Sequence, residues 1–149
     1  FWEWDQATNV WTQKANFGGT ARAVAVGFSI GSKGYIGTGS ASSLMNDFWE
    51  YNPATGTWSQ KANFAGGARR LAVAFAINGK GYLATGDANS FKNDMWEYDP
   101  VGNTWVQKAN FPGTPRYSAA CFVINNKAYV GSGYDNTLTN KRDFLNTTR

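Results

Sequence analysis

The chain has 149 residues, 42% of them hydrophobic and 16% aromatic, which is the composition of a folded globular protein and not of a disordered one. One cysteine and no histidine exclude an intrachain disulfide framework and a zinc site of the usual ligands. The charge of +4 comes from basic residues that form no run or stripe, so nucleic acid is not an expected partner, and no apolar run is long enough to cross a bilayer.

The first stretch, Phe1-Trp2-Glu3-Trp4 through Trp11 to Phe17, is written again as Asp47-Phe48-Trp49-Glu50-Tyr51 through Trp58 to Phe64, and again as Met95-Trp96-Glu97-Tyr98 through Trp105 to Phe111. The step is 47 residues, and everything between the copies moves with it: Arg22, Arg69 and Arg116 align, as do Tyr35, Tyr82 and Tyr129. A fixed period of this size marks a repeat array in which each unit buries its apolar face on its neighbours.

Each unit opens at its arginine on a short apolar run, Ala23 to Phe28, Leu71 to Ile77 and Ser118 to Phe122. All three copies are rich in small residues, as suits an innermost strand crowded around an axis. A two-residue turn follows: Gly31-Ser32, Asn78-Gly79 or Asn125-Asn126. Such pairs accept the left-handed backbone of a tight hairpin, so the runs on either side are read as antiparallel neighbours. Cys121 aligns with Ala74 and Gly27 and is expected to be a core thiol rather than a nucleophile.

Past the second strand the sequence turns polar and variable, at Ser40–Asn46, Asp87–Asn93 and Tyr134–Arg142, the last two residues longer. Variable loops on a rigid scaffold are the expected binding loops. The third strand is the Phe-Trp-Glu-Tyr motif, apolar enough for a sheet covered on both faces. Asn52-Pro53-Ala54-Thr55-Gly56 and Asp99-Pro100-Val101-Gly102-Asn103 supply turn chemistry. The fourth strand, from Thr57 to about Lys61, is polar and ends in lysine, as an outer edge should. Helical periodicity appears nowhere.

Four short antiparallel strands per unit describe a propeller blade. The reading is an all-β chain: residues 1–17 as strands three and four of one blade, 22–64 and 69–111 as whole blades, and 116–149 as a partial blade. Three blade-equivalents cannot close a ring, since closed propellers typically have 4 to 8 blades. The expectation is a fragment of a longer propeller, with a ring completed by another chain as the rival.

The glycines closing the second strand (Gly37-Thr38-Gly39, Gly131-Ser132-Gly133), the Tyr and Trp seven apart (Tyr51 and Trp58, Tyr98 and Trp105) and the arginine opening the first strand resemble kelch repeats. The wording is similar to secreted kelch-repeat proteins of Bacteroidetes-type bacteria, and it covers nearly the whole chain. Departures are a Gly-x-Gly in place of the family's adjacent glycine pair, Ala84 for the first of these glycines, and Leu145 where Trp49 and Trp96 sit. The resemblance implies a propeller at the cell surface or secreted. Some kelch domains grip acidic peptides with a ring of such arginines. Kelch propellers also include a copper oxidase whose site takes His and Tyr ligands with a Tyr–Cys crosslink, which a chain without histidine cannot build. No cofactor and no catalysis are expected.

The recurring carboxylates Glu3, Glu50 and Glu97, and Asp47, Asp94 and Asp143, lie at the blade period, which points to structural roles, with the aspartates turning the loop before strand three. The same logic makes Arg22, Arg69 and Arg116 ties between blades, by bonds to loop carbonyls, sooner than ligands. Arg70 and Tyr117 break the repeat where the first unit has Ala23, and so are better placed for a specific contact. With Asp87, Phe91, Tyr134 and Asp135 of the loops they complete the candidate ligand-binding set. The expected partner is a protein or a glycan. An enzyme whose catalytic residues lie outside this chain, and a purely structural subunit of a surface assembly, are the alternatives. Asn146-Thr147-Thr148 also matches a glycosylation sequon.

Overall fold

A computed structural model describes residues 1–137 and 141 together with the backbone of residues 144–146. Its elements are β-strands throughout: β1 (Trp2–Asp5), β2 (Val10–Gln13), β3 (Val26–Ile30), β4 (Lys33–Gly37), β5 (Phe48–Asn52), β6 (Thr57–Lys61), β7 (Val73–Ile77), β8 (Lys80–Ala84), β9 (Met95–Asp99), β10 (Thr104–Lys108), β11 (Arg116–Tyr117), β12 (Ala120–Ile124), β13 (Lys127–Gly131), β14 (Tyr134–Asp135) and β15 (Phe144–Asn146). The all-β, blade-like architecture read from the repeat is what the structure shows. Two sheets have four antiparallel strands in sequence order, β3-β4-β5-β6 and β7-β8-β9-β10. β1-β2 and β12-β13-β15 are smaller versions of the same sheet, and β11 pairs with β14.

Turn chemistry sets the register. Asn78 and Gly79 both have positive φ, as do Asn125 and Asn126, so each pair closes its hairpin in two residues. After the third strand the Asn52 side chain accepts from Ala54 N at 3.1 Å, and that of Asp99 accepts from Val101 N at 2.9 Å. These side-chain turns start the bend that Gly56 and Asn103 finish in the left-handed region.

Each sheet buries its face on the next. Phe48 of β5, fully buried, sets its ring edge-on to Tyr98 at 4.8 Å and Trp105 at 5.0 Å of the following sheet. Tyr98 and Trp105 are themselves cross-strand partners, as are Tyr51 and Trp58. The spacing of seven is therefore the length of the β5–β6 hairpin: it makes a two-ring socket for the phenylalanine of the sheet before. Phe1 fills the Tyr51–Trp58 socket in the same way, with centroids 5.0 and 5.1 Å away. Between the second and third sheets the core is Val73, Phe75, Ala84, Phe111, Ala128 and Val130. Cys121 is half-buried beside it, with Sγ donating to Ala74 O at 3.4 Å, and burial raises its thiol pKa.

A second line of contacts runs from sheet to sheet along the start of the innermost strands. Ser118 N donates to Leu71 O, and Leu71 N to Val24 O. All three residues have positive φ, which turns their amides toward the neighbouring blade.

Candidate functional site

The constant polar positions of the repeat are consumed inside it. Arg69 is fully buried: its guanidinium forms a two-pronged pair with Asp94 at 2.6 and 2.8 Å, donates to Thr85 O at 2.9 Å and to Gly66 O, and lies over the Phe64 ring. Arg22 does the same with Asp47 at 2.5 and 2.6 Å, with Thr38 O and Thr20 O, over Phe17. Arg116, also fully buried, donates to Ser132 O and Thr114 O over Phe111. Arg22 and Arg69 thus staple the start of strand one to the end of strand two and the start of strand three within their own blades, with one bond each to the connecting loop, and Arg116 ties the start of strand one to the end of strand two and to Thr114 of its loop. The tie between blades is made by the arginine backbone: Arg69 N donates to Met45 O and Arg69 O accepts from Gly39 N, and Arg116 repeats this with Lys92 and Gly86. Loop carbonyls do receive the guanidiniums, but the main partner is an aspartate the sequence reading assigned to turn capping. The signal was present, since both arginines stand 25 residues before their aspartates. Asp143 lies outside the described residues, as do Thr147 and Thr148 of the sequon.

The aspartates are fixed further by Trp49 and Trp96, whose Nε1 groups donate to Asp47 and Asp94 at 2.8 Å. Hydrogen bonds from Arg22 hold the Asp47 carboxyl below its ordinary pKa against the opposing effect of burial. At Asp94 burial pushes upward most strongly, yet the combined bonds from Arg69 and Trp96 prevail and the pKa is lowered. The glutamates are likewise engaged: Tyr35 donates to Glu50 at 2.6 Å and Tyr82 to Glu97 at 2.7 Å, with Lys61 and Lys108 beside them. Burial, then the Glu97 bond, pushes the Tyr82 phenol up to about 12.

The irregular positions gather elsewhere. Beyond each Gly-x-Gly, strands one and two of a blade part and meet once more, at Ala23↔Ser40, Arg70↔Asp87 and Tyr117↔Tyr134. These pairs are equivalent by repeat, so they present side chains on one face of the array. In the first unit the pair is small and plain. In the second it is an ion pair, Arg70 Nε to Asp87 at 3.1 Å. In the third it is two stacked rings 5.6 Å apart. Phe91 joins the two: its backbone bridges Asp87, and its ring lies 4.7 Å from that of Tyr117.

Of the nine candidate ligand residues, five therefore converge as one cluster, Arg70, Asp87, Phe91, Tyr117 and Tyr134. Arg22, Arg69 and Arg116 sit below it as staples. Asp135 is buried and committed, accepting from Thr137 N at 3.0 Å and pairing with Lys141 at 2.6 Å. Among the described residues no group of His, Cys, Asp and Glu could hold a metal ion, and no helix is long and apolar enough to cross a membrane. No protein-family model matches the chain, and no curated protein matches it.

Proposed function

We propose that this chain is a non-enzymatic binding module of kelch type, acting at the cell surface or after secretion and recognising a protein or a glycan through one face of its blades. The observation that carries the reading is the contrast between constant and irregular positions. Polar groups that recur at the repeat period are bonded inside the blades, whereas Arg70, Asp87, Phe91, Tyr117 and Tyr134, which break the repeat, form one partly exposed cluster of an ion pair and three rings. A binding site needs different groups from different blades, and these are the positions where the blades differ. The kelch assignment rests on the wording of the repeat, and the extracellular location on its likeness to secreted bacterial kelch proteins.

The test is a screen of the folded chain against immobilised oligosaccharides and a displayed peptide library, with Arg70→Gln and Tyr134→Ala as paired controls. A ligand held by the wild type and lost by both variants at unchanged melting temperature is the expected result. Ligands held equally by all three proteins would place recognition on another face.

Completion of the propeller belongs to the same proposal. Trp4 and Trp11 form a socket like Tyr98–Trp105 but are 46% and 64% exposed, and Phe122 and Ile124 of β12 are exposed at the other end. Further blades, in the same polypeptide or another, cover these faces. A strictly monomeric 149-residue chain with native circular dichroism at all concentrations contradicts this.

A further inference from the structure

We propose that the ligand of the Arg70–Asp87–Phe91–Tyr117–Tyr134 cluster is a neutral carbohydrate, a short run of pyranose rings laid along the aromatic row. This rests on the reading of that face as the binding face and names the chemistry it selects.

The row is the first argument. Phe91, Tyr117 and Tyr134 follow one another with centroids 4.7 and 5.6 Å apart and come from two blades, the tyrosines from the paired β11 and β14 and Phe91 from a loop bridged to Asp87, so they do not depend on one loop. A pyranose ring carries axial C–H bonds on a face that water solvates poorly, while its hydroxyls project from the rim. An aromatic face takes up the first and leaves the second free, which gives area at little cost in side-chain entropy. Tyr134 is 39% exposed and the other two rings are half-buried, so there is surface to cover without a deep cavity.

The polar complement is the second argument. Arg70 is anchored through Nε alone, and its two terminal nitrogens make no hydrogen bond among the described residues. The phenol hydroxyls of Tyr117 and Tyr134 are equally unengaged there. Asp87, held by that anchor, keeps acceptor capacity beside those donors. Sugar hydroxyls both donate and accept, and this set of fixed donors and acceptors beside an apolar row answers both needs.

The third argument is charge. An acidic peptide or a nucleic acid strand needs unpaired cations: aromatic rows do stack bases, but in grooves that are positive. Here Arg70 is matched by Asp87 and Lys141 by Asp135, which leaves Lys92 as the one cation of the Asp87–Asn93 loop with no ion pair among the described residues. A site with one uncompensated cation falls short of the positive groove that a polyanion needs and favours an uncharged ligand.

The experiment is calorimetric titration of the whole chain with linear six-unit oligosaccharides of neutral glucan, xylan and mannan type, alongside hexagalacturonate, an acidic hexapeptide and a short oligothymidylate. At least one neutral oligosaccharide is expected to bind. Tyr134→Ala should weaken it about tenfold or more, a loss of about 1.4 kcal/mol, while Tyr134→Phe, which keeps the ring and loses only the hydroxyl, should weaken it less than Tyr134→Ala does. Arg70→Gln should weaken it several-fold. Tyr134 is exposed enough for its variants to fold, which melting curves verify, so the result stands even if Tyr117→Ala does not fold. Silence with every neutral oligosaccharide overturns the proposal. Binding of the peptide or an acidic polymer, lost in the same variants, overturns the carbohydrate class and leaves the binding face in place. Carbohydrate binding that Tyr134→Ala and Arg70→Gln leave unchanged overturns the face itself.

Discussion

At the scale of the residue, the governing distinction is between charges that fold the chain and charges that face solvent. The Arg69–Asp94 pair has an arginine with no exposed side-chain area and an aspartate 18% exposed. Taking such a pair out of water is compensated because both terminal nitrogens of the guanidinium are used, by Asp94, Thr85 O and Gly66 O, while its Nε is buried without a hydrogen bond among the described residues. The lowered pKa values of Asp47 and Asp94 carry a pH signature. Because the folded value lies below the unfolded one, the stability each contributes is complete above the ordinary carboxylate range, about pH 4, and is lost as pH falls through the folded value. Urea unfolding followed from pH 6 to 2 should show stability falling below about pH 4, with a shallower fall in Asp94→Asn; an equal slope in wild type and variant would remove the aspartate from the acid transition. These pairs were half legible in the sequence. The constant arginine and the constant aspartate were visible, and repetition correctly gave them structural roles, but their pairing depends on how strands one and three flank strand two, which no local pattern encodes.

At the scale of the element, the Gly-x-Gly shows how a departure from a repeat is absorbed. The second glycine is invariant, at Gly39, Gly86 and Gly133, with φ of 98°, 99° and 85°. A Cβ at Gly86 would stand 2.9 Å from Arg70 O, a backbone atom that cannot swing away. The first glycine obeys a different constraint. At Gly37 a Cβ would lie 2.6 Å from the ring of Phe48, its cross-strand partner. In the second unit the same pair is Ala84 and Met95, and in the third Gly131 and Phe144. An added methyl is accommodated where the ring is replaced by a flexible thioether chain. Gly37→Ala alone should cost about 1–3 kcal/mol. Combined with Phe48→Met the losses should fall short of their sum by about 1 kcal/mol, read as a double-mutant cycle in urea. Strict additivity would show that the two positions do not constrain each other. Strands and turns were legible here because they depend on neighbours in sequence, on Asn-Gly, Asn-Pro and apolar runs. That Ala84 and Met95 answer one another emerges only from the register.

At the scale of the whole molecule, the array divides labour between its interior and one face. Rings set into sockets and backbone bonds between left-handed residues join sheet to sheet, with Met95 standing where the other units set Phe1 and Phe48. Variation in charge and ring content gathers where the strands meet beyond the second glycine, and there it makes Ala23–Ser40, Arg70–Asp87 and Tyr117–Tyr134 of one position. The sequence showed Arg70 and Tyr117 as irregular and Phe91 and Tyr134 as loop aromatics. It did not show them touching, because Phe91 reaches Tyr117 across a blade boundary whose geometry is set by packing. The central claim is that neighbouring arginines, 69 and 70, serve the two halves of this division. The difference in unfolding free energy between Arg69→Gln and Arg70→Gln tests it most directly. Arg69→Gln is expected to lose about 3 kcal/mol or more, leaving Asp94 without its partner. Arg70→Gln should stay within about 0.5 kcal/mol of wild type, as an exposed ion pair does. Equal losses at the two positions, or a larger one at Arg70, would contradict the division between a structural arginine and a binding one.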